Sequence, residues 1–321
     1  MPPPLDDILG RLHVVALPMR VKFRGITVRE VALIDGPAGW GEFGAFGEYE
    51  PPEAAHWLAA ALESAYHELP PARRTRIPIN ATVPAVDAER VPEVLARFPG
   101  ARTAKVKVAE PGQTLADDVA RVEAVRALIP TVRVDANGGW TLDQAVEAAK
   151  ALGALEYLEQ PCATVAELAQ LRRRIDTPVA ADESIRKAAD PLAVKAAGAA
   201  DIAVLKVAPL GGVSALLKVA EQIGIPVVVS SAIDSAVGIA TGLRAAAALP
   251  DLAHACGLGT GSLFVDDVRD PAETPLQKDG YLPVQPVVPD PARLHALAAS
   301  PQRRQWWIDR VRACHGLLAA R

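Results

Sequence analysis

From residue 77 onward, a short β-branched run gives way again and again to a polar loop and then an Ala/Leu-rich stretch. This alternation limits the fold more than any other feature. The eight runs occupy residues 77–83, 103–108, 132–137, 155–159, 178–183, 202–207, 227–232 and 253–258. Strands that alternate with helices pair in parallel, because each helix returns the chain to the end it came from. Three helix starts carry a capping pair: Thr114 with Asp117, Thr141 with Gln144, and Thr164 with Glu167. Eight units in roughly 190 residues predict an α/β fold, a closed (β/α) barrel of TIM type, with a doubly wound open sheet as the alternative.

The repeat occupies residues 76–262 of the 321 and leaves segments on both sides. Residues 1–75 read as a small α+β unit: β-type runs at 13–19 and 26–34, glycines at 36, 39 and 41, then a helix over 52–69. Ala55, Leu58, Ala59, Leu62 and Tyr66 share one face of that helix. Residues 263–321 form a Pro-rich tail and a terminal helix carrying Trp306, Trp307, Ile308 and Val311, expected to pack on the barrel or on the first unit. Arg303 and Arg304 beside those tryptophans read as a helix face rather than a nucleic-acid patch. A formal net charge of −4 also argues against nucleic acid as the partner. The start is acidic and proline-broken, unlike a secretory signal, and residues 225–242 are too interrupted for a membrane helix. A cytoplasmic protein is expected. Cys162, Cys256 and Cys314 are odd in number and widely spaced, which predicts inert thiols and no structural zinc.

Strands of a parallel barrel are buried on both faces and should be almost wholly apolar. Here they are not. Lys105 and Lys107 lie two apart and so share a strand face. Asp135 ends the third run, Glu159 the fourth, Asp182 with Glu183 the fifth, and Lys206 falls in the sixth. Barrel sites assemble at the C-terminal ends of strands, so charges delivered once per unit converge on one mouth. A set of unpaired buried charges would cost several kcal/mol each and persists only when neutralised.

Three carboxylates in a confined space repel one another, and a divalent cation would keep all three ionised. Oxygen ligation points to Mg²⁺ or Mn²⁺, since zinc would recruit histidine or cysteine. Lysines flanking such a metal suit abstraction of a proton beside a carboxylate, with an enediolate as the product of that step. Asn137, two residues past Asp135, either orients a ligand or shapes the turn before Gly138 and Gly139.

The set Lys105-x-Lys107, Asp135-Ala136-Asn137, Glu159-Gln160-Pro161, Asp182-Glu183-Ser184 and Lys206 resembles the enolase superfamily, in its muconate-lactonising branch. The resemblance spans nearly the whole chain. It implies a modified barrel with an N-terminal α+β capping domain completed by the C-terminal tail. Gly25-Ile26-Thr27-Val28-Arg29-Glu30 and Gly39-Trp40-Gly41-Glu42-Phe43 are similar to capping segments of the menaquinone-pathway dehydratases in that branch, in the short form that actinobacteria carry. The implied activity is Mg²⁺-dependent dehydration of 2-succinyl-6-hydroxy-2,4-cyclohexadiene-1-carboxylate, a small-molecule carboxylate. Asp135, Glu159 and Asp182 would bind the metal, Lys107 would take the α-proton, and Lys206 would steady the enediolate. Lys105 would assist Lys107, and Glu183 would support Lys206 or the metal shell. Ser230, Ser231 and Gly261 would receive the succinyl arm, unless the serines merely cap a helix. Arg20, Lys22 and Arg24 lie where the capping loop should close, and one of them, Arg24 being the candidate named, would meet the succinyl carboxylate.

Three rival readings remain at this level. An N-succinylamino acid racemase or dipeptide epimerase would use the same metal and both lysines. A glycosidase would need only two carboxylates, for instance Glu159 and Glu183. A ligand-binding barrel without catalysis would use the charges as a paired network.

Overall fold

The computed structural model describes residues 2–23, 25–186, 190–270 and 279–320. The first unit is an antiparallel sheet of β1 (Leu12–Phe23), β2 (Ile26–Gly36) and β3 (Gly39–Phe43). The helix Pro51–Tyr66 lies on it, with Ala55, Leu58 and Leu62 buried as their spacing requires.

The barrel strands are β4 (Arg76–Pro78), β5 (Ala81–Val83), β6 (Thr103–Lys107), β7 (Thr131–Asp135), β8 (Leu158–Glu159), β9 (Val179–Ala181), β10 (Ile202–Leu205) and β11 (Val227–Val229). Strands β5 to β11 pair in parallel in chain order. The first run divides, because β4 turns outward to pair antiparallel with β12 (Tyr281–Pro283) of the tail. The eighth run bridges the two ends of the sheet. Cys256 N–H donates to the Pro78 carbonyl at 2.7 Å and Gly257 N–H to the Val229 carbonyl at 2.9 Å. Asn80 N–H and Ser231 N–H each return a bond of 3.0 Å to the same segment. In an open sheet these groups would stand at two separate edges. The chain therefore closes, and the doubly wound alternative is set aside.

All three capping pairs form reciprocal boxes at Thr114, Thr141 and Thr164. They fix where the outer helices begin. Along each strand, alternate residues face opposite ways. Val106, Val134, Leu158, Ala181 and Leu205 join the apolar layer beneath the helices. Tyr157, Ala180, Ile202, Val204 and Val228 form a separate small cluster inside the barrel. Two residues beyond each of Tyr157, Ala180, Val204 and Val228 comes Glu159, Asp182, Lys206 and Ser230. The period of two thus sets a polar ring above a largely apolar floor, with the buried Arg133 beside Tyr157.

The tail completes the first unit. The segment 297–299 bonds along the outer edge of β1, and Phe264 bridges Met19. The helix Pro301–Ala319 buries Trp307, Ile308, Val311 and Cys314 mainly against the helix Pro51–Tyr66, with Trp307 edge-on to Phe43 of the sheet at 5.4 Å. Arg303 pairs with Glu30. The three cysteines are free and buried.

Glu42 of β3 crosses to the barrel, where its carboxylate accepts from Ser235 N–H at 3.0 Å and Gly238 N–H at 3.1 Å. Burial, then the neighbouring Asp234 charge, push its pKa up from 4.5 to about 8. The folded chain therefore keeps a proton that the unfolded chain loses above pH 4.5, so this group's contribution to stability falls as pH rises from 4.5 to 8. Urea unfolding across that range should show a decline that is shallower in Glu42→Gln by up to about 1.4 kcal/mol per pH unit. Equal slopes would contradict the assignment.

Candidate active site

Each polar side chain of the ring is positioned by its own strand end. Buried Arg121, on the helix Leu115–Arg126, donates to the Lys107 carbonyl at 2.8 Å and fixes the end of β6. The Gln160 side chain accepts from Asp182 N–H at 3.0 Å and Ser184 N–H at 3.1 Å, which holds the turn after β9. In the sheet, Lys107 lies opposite Asp135 and Asp135 opposite Glu159.

The charges then meet. Lys105 Nζ donates to Asp135 Oδ2 at 2.9 Å and Glu159 Oε1 at 2.8 Å. Lys107 Nζ donates to Asp135 Oδ2 at 2.6 Å and to Asn137 Oδ1. Lys206 Nζ bonds Asp182 Oδ2 from the other side. Burial opposes the charge on Lys105, yet Asp135 and Glu159 raise its pKa well above the usual lysine range. Burial works against Asp135 as well, but Lys105 and Lys107 keep it far below the ordinary carboxylate value. Asp182, despite its burial, is brought to about 2 by Lys206 and Arg186. Burial is the largest influence on Lys206 and lowers its pKa.

Glu159 differs. Its Oε2 is buried without a hydrogen-bond partner. Burial, then the charge of Asp135, push its pKa up to about 7. Among the described residues no three acidic, histidine or cysteine side chains form a ready set of metal ligands, because lysine and arginine hold most of the carboxylate oxygens. The orphaned oxygen and the all-carboxylate donor set nevertheless fit a divalent cation that prefers oxygen.

Asn137 serves two ends. Its φ of 47° makes the turn, while its Nδ2 donates to Glu183 Oε1 at 3.1 Å. Glu183 is bonded by Asn137 and Arg186, whereas the Lys206 ammonium goes to Asp182. Through Asn137 it reaches Lys107, through Arg186 it reaches Asp182, and its charge favours the charged form of Lys206. The helix after β11 is capped by Ser235, so Ser230 and Ser231 do not cap it. Both serines line the inner cavity beside Lys107 and Lys206, and Ser231 Oγ lies 2.6 Å from Thr260 Oγ1. Gly261 does not line that cavity; it borders a separate one outside the barrel, and Thr260 stands in its place. The eighth loop turns through a short 3₁₀ helix at Thr260–Leu263, which presents Thr260 inward. Arg24 lies outside the described residues. Arg20 and Lys22 line an outer cavity of about 570 Å³ that shares Phe23, Lys107 and Asn137 with the inner one.

The sequence reading missed several groups. Arg186 donates to Asp182 Oδ1 at 2.9 Å, Glu183 Oε1 at 2.6 Å and the Tyr49 hydroxyl of the first unit at 3.2 Å. Its position four residues after Asp182, one helical turn on, was the available signal. Arg133 is wholly buried below the ring, bonded to Tyr157 Oη at 2.7 Å and Glu156 Oε2 at 2.8 Å. It sits two residues before Asp135, within the same strand pattern. Thr82, Phe23 and Ile233 also line the inner cavity.

Known proteins resemble the chain over its length. Residues 14–65 match the family model of enolase N-terminal domain-like proteins and residues 88–289 that of enolase C-terminal domain-like proteins. An o-succinylbenzoate synthase of Mycobacterium marinum is 74% identical over 323 residues, covering 100% of this chain and 98% of that one. An o-succinylbenzoate synthase of Mycolicibacterium smegmatis is 76% identical over 319 residues, with 98% of each covered. The fold matches the crystal structure of a muconate lactonizing enzyme from Pseudomonas fluorescens, with a TM-score of 0.76 at 21% identity, covering 90% of this chain and 98% of that one. With matches of this extent, the chain belongs to the enolase superfamily and, within it, to the o-succinylbenzoate synthase family.

Proposed function

We infer that this chain dehydrates 2-succinyl-6-hydroxy-2,4-cyclohexadiene-1-carboxylate to o-succinylbenzoate, as a hydro-lyase of menaquinone biosynthesis. The observation that carries the reading is identity of 74–76% across essentially the whole chain to relatives named for that product. The site has the groups the reaction needs. In this reading Lys107 accepts the α-proton and returns a proton to the departing hydroxyl, so that one water leaves and the ring becomes aromatic. Lys206, across the cavity, steadies the negative charge of the enediolate. Lys105 holds Asp135 and Glu159 in place beside Lys107. Ser230 and Ser231 offer hydroxyls to the succinyl arm.

Asp135, Glu159 and Asp182 would hold a divalent cation, which we assign as Mg²⁺ with Mn²⁺ as a substitute. When bound, it supplies positive charge against the substrate carboxylate. The described residues contain no helix long and apolar enough to cross a membrane, and a cytoplasmic setting suits a small soluble carboxylate. Two lysines facing one cavity also suit racemisation of N-succinyl amino acids, which deuterium entering the α-position from solvent would reveal.

Ultraviolet absorbance should show turnover of the cyclohexadiene at or above about 10⁴ M⁻¹s⁻¹ with Mg²⁺. Chelator should abolish it, and Lys107→Ala should lower kcat by roughly 10²–10⁴-fold. Feeble turnover by folded, Mg²⁺-loaded protein would contradict the reading. Added Mg²⁺ should raise the melting temperature of the unaltered chain and leave Asp182→Asn unmoved. An equal rise in both would count against Asp182 as a ligand.

A further inference from the structure

Ile233, just after the seventh barrel strand, has a φ of 60°. A β-branched residue seldom adopts this left-handed backbone. Such a conformation persists only where its surroundings over-determine it, and it tends to mark a working part of a site. Here the surroundings come from the capping domain. Arg29 of β2 donates through Nε to the Ile233 carbonyl at 3.1 Å and through Nη2 to the Gly44 carbonyl. Its guanidinium lies 4.2 Å from the centre of the Phe46 ring. Glu42 of β3 accepts from both the N–H and the hydroxyl of Ser235, two residues further along the same loop.

Both clamping residues are buried, at 2% exposure for Arg29 and 8% for Glu42. Two glycines leave them room. A Cβ on Gly44 would come within 2.8 Å of Arg29 Nη2, and one on Gly238 within 2.9 Å of Glu42 Oε2. The clamp is thus built into both domains. What it holds faces the chemistry: Ile233 lines the reaction cavity with Lys107, Lys206, Ser230 and Ser231. Phe23, Ala232 and Ile233 carry the apolar side chains among the lining residues, and most of the others carry polar ones.

We propose that Ile233 is a specificity-determining residue, held left-handed by Arg29 and Glu42 so that it forms an apolar wall for the six-membered ring of the substrate. This rests on the reading that the substrate is a succinyl-bearing cyclohexadiene carboxylate. An N-succinyl amino acid places only its own side chain where the rest of the ring would lie, and a small or polar side chain gains less from such a wall. The acid and base groups stand elsewhere in the cavity, so the wall acts on binding more than on proton transfer.

Ile233→Ala and Ile233→Gly test this by kinetics with the cyclohexadiene carboxylate in Mg²⁺ and by thermal melting. Both should raise KM at least tenfold while kcat falls less than threefold. Glycine should melt above alanine, the reverse of the order at an ordinary position, because only glycine is at ease at positive φ. Arg29→Lys keeps the charge but loses the Nε bond to Ile233, and should raise KM in the same sense. A KM within twofold of the unaltered chain in both Ile233 variants overturns the proposal, as does alanine melting above glycine. Absence of turnover in the folded, Mg²⁺-loaded, unaltered chain overturns the substrate assignment and the wall with it, a result distinct from an active enzyme whose KM does not move.

Discussion

Charge buried inside the barrel has to be matched by opposite charge within hydrogen-bonding reach, and the rest of the architecture serves that requirement. Lys105, Lys107, Lys206 and Arg186 face Asp135, Glu159, Asp182 and Glu183, four cations against four carboxylates. Remove one and a buried partner loses its compensating charge, which typically costs about 3–5 kcal/mol. The lysine pairs bridge different strands, so the same contacts that neutralise the charges also tie the strand ends together. Lys107 with Asp135 ties β6 to β7, Lys105 with Glu159 reaches from β6 to β8, and Lys206 with Asp182 joins the ends of β10 and β9. The charged ring and barrel closure are therefore one problem with one solution. The apolar floor of Tyr157, Ala180, Ile202, Val204 and Val228 closes the barrel beneath the ring.

The capping domain finishes the enclosure. Tyr49 receives Arg186, Phe23 places its ring 5.5 Å from Lys107 Nζ, and Arg29 and Glu42 grip the seventh loop. The tail helix holds the capping loop in turn, since Arg310 donates to the Phe46 carbonyl at 2.7 Å and the Tyr49 carbonyl at 2.6 Å. Contacts from the last helix thus reach Asp182 through two side chains, Tyr49 and Arg186. Enclosure of this kind strengthens every electrostatic interaction inside it.

Much of this was legible in the sequence because the information is local. A strand repeats every two residues and a helix start needs a capping side chain, so the eight runs, the three capping boxes and the charged strand ends could be read from spacing. The superfamily followed from those same charges. What escaped depends on where loops go in space. The division of the first run into β4 and β5 is decided by a tail strand some 200 residues away, which no local pattern reports. Arg186 and Thr260 sit in turns beyond the strand ends, where a one-residue difference exchanges Gly261 for Thr260. The left-handed Ile233 defies its own propensity and is held by another domain. Arg133 was within reach of the period-two argument and was passed over because it lies below the strand end rather than at it.

A double-mutant cycle on Lys105→Met and Glu159→Gln, followed by urea unfolding in metal-free buffer, tests the matched-charge account most directly. Each single change should destabilise the chain by about 3–5 kcal/mol. The pair together should cost less than the sum, with a coupling of at least about 2 kcal/mol. Losses that add to within about 0.5 kcal/mol would mean that the two side chains do not depend on one another, and would contradict it.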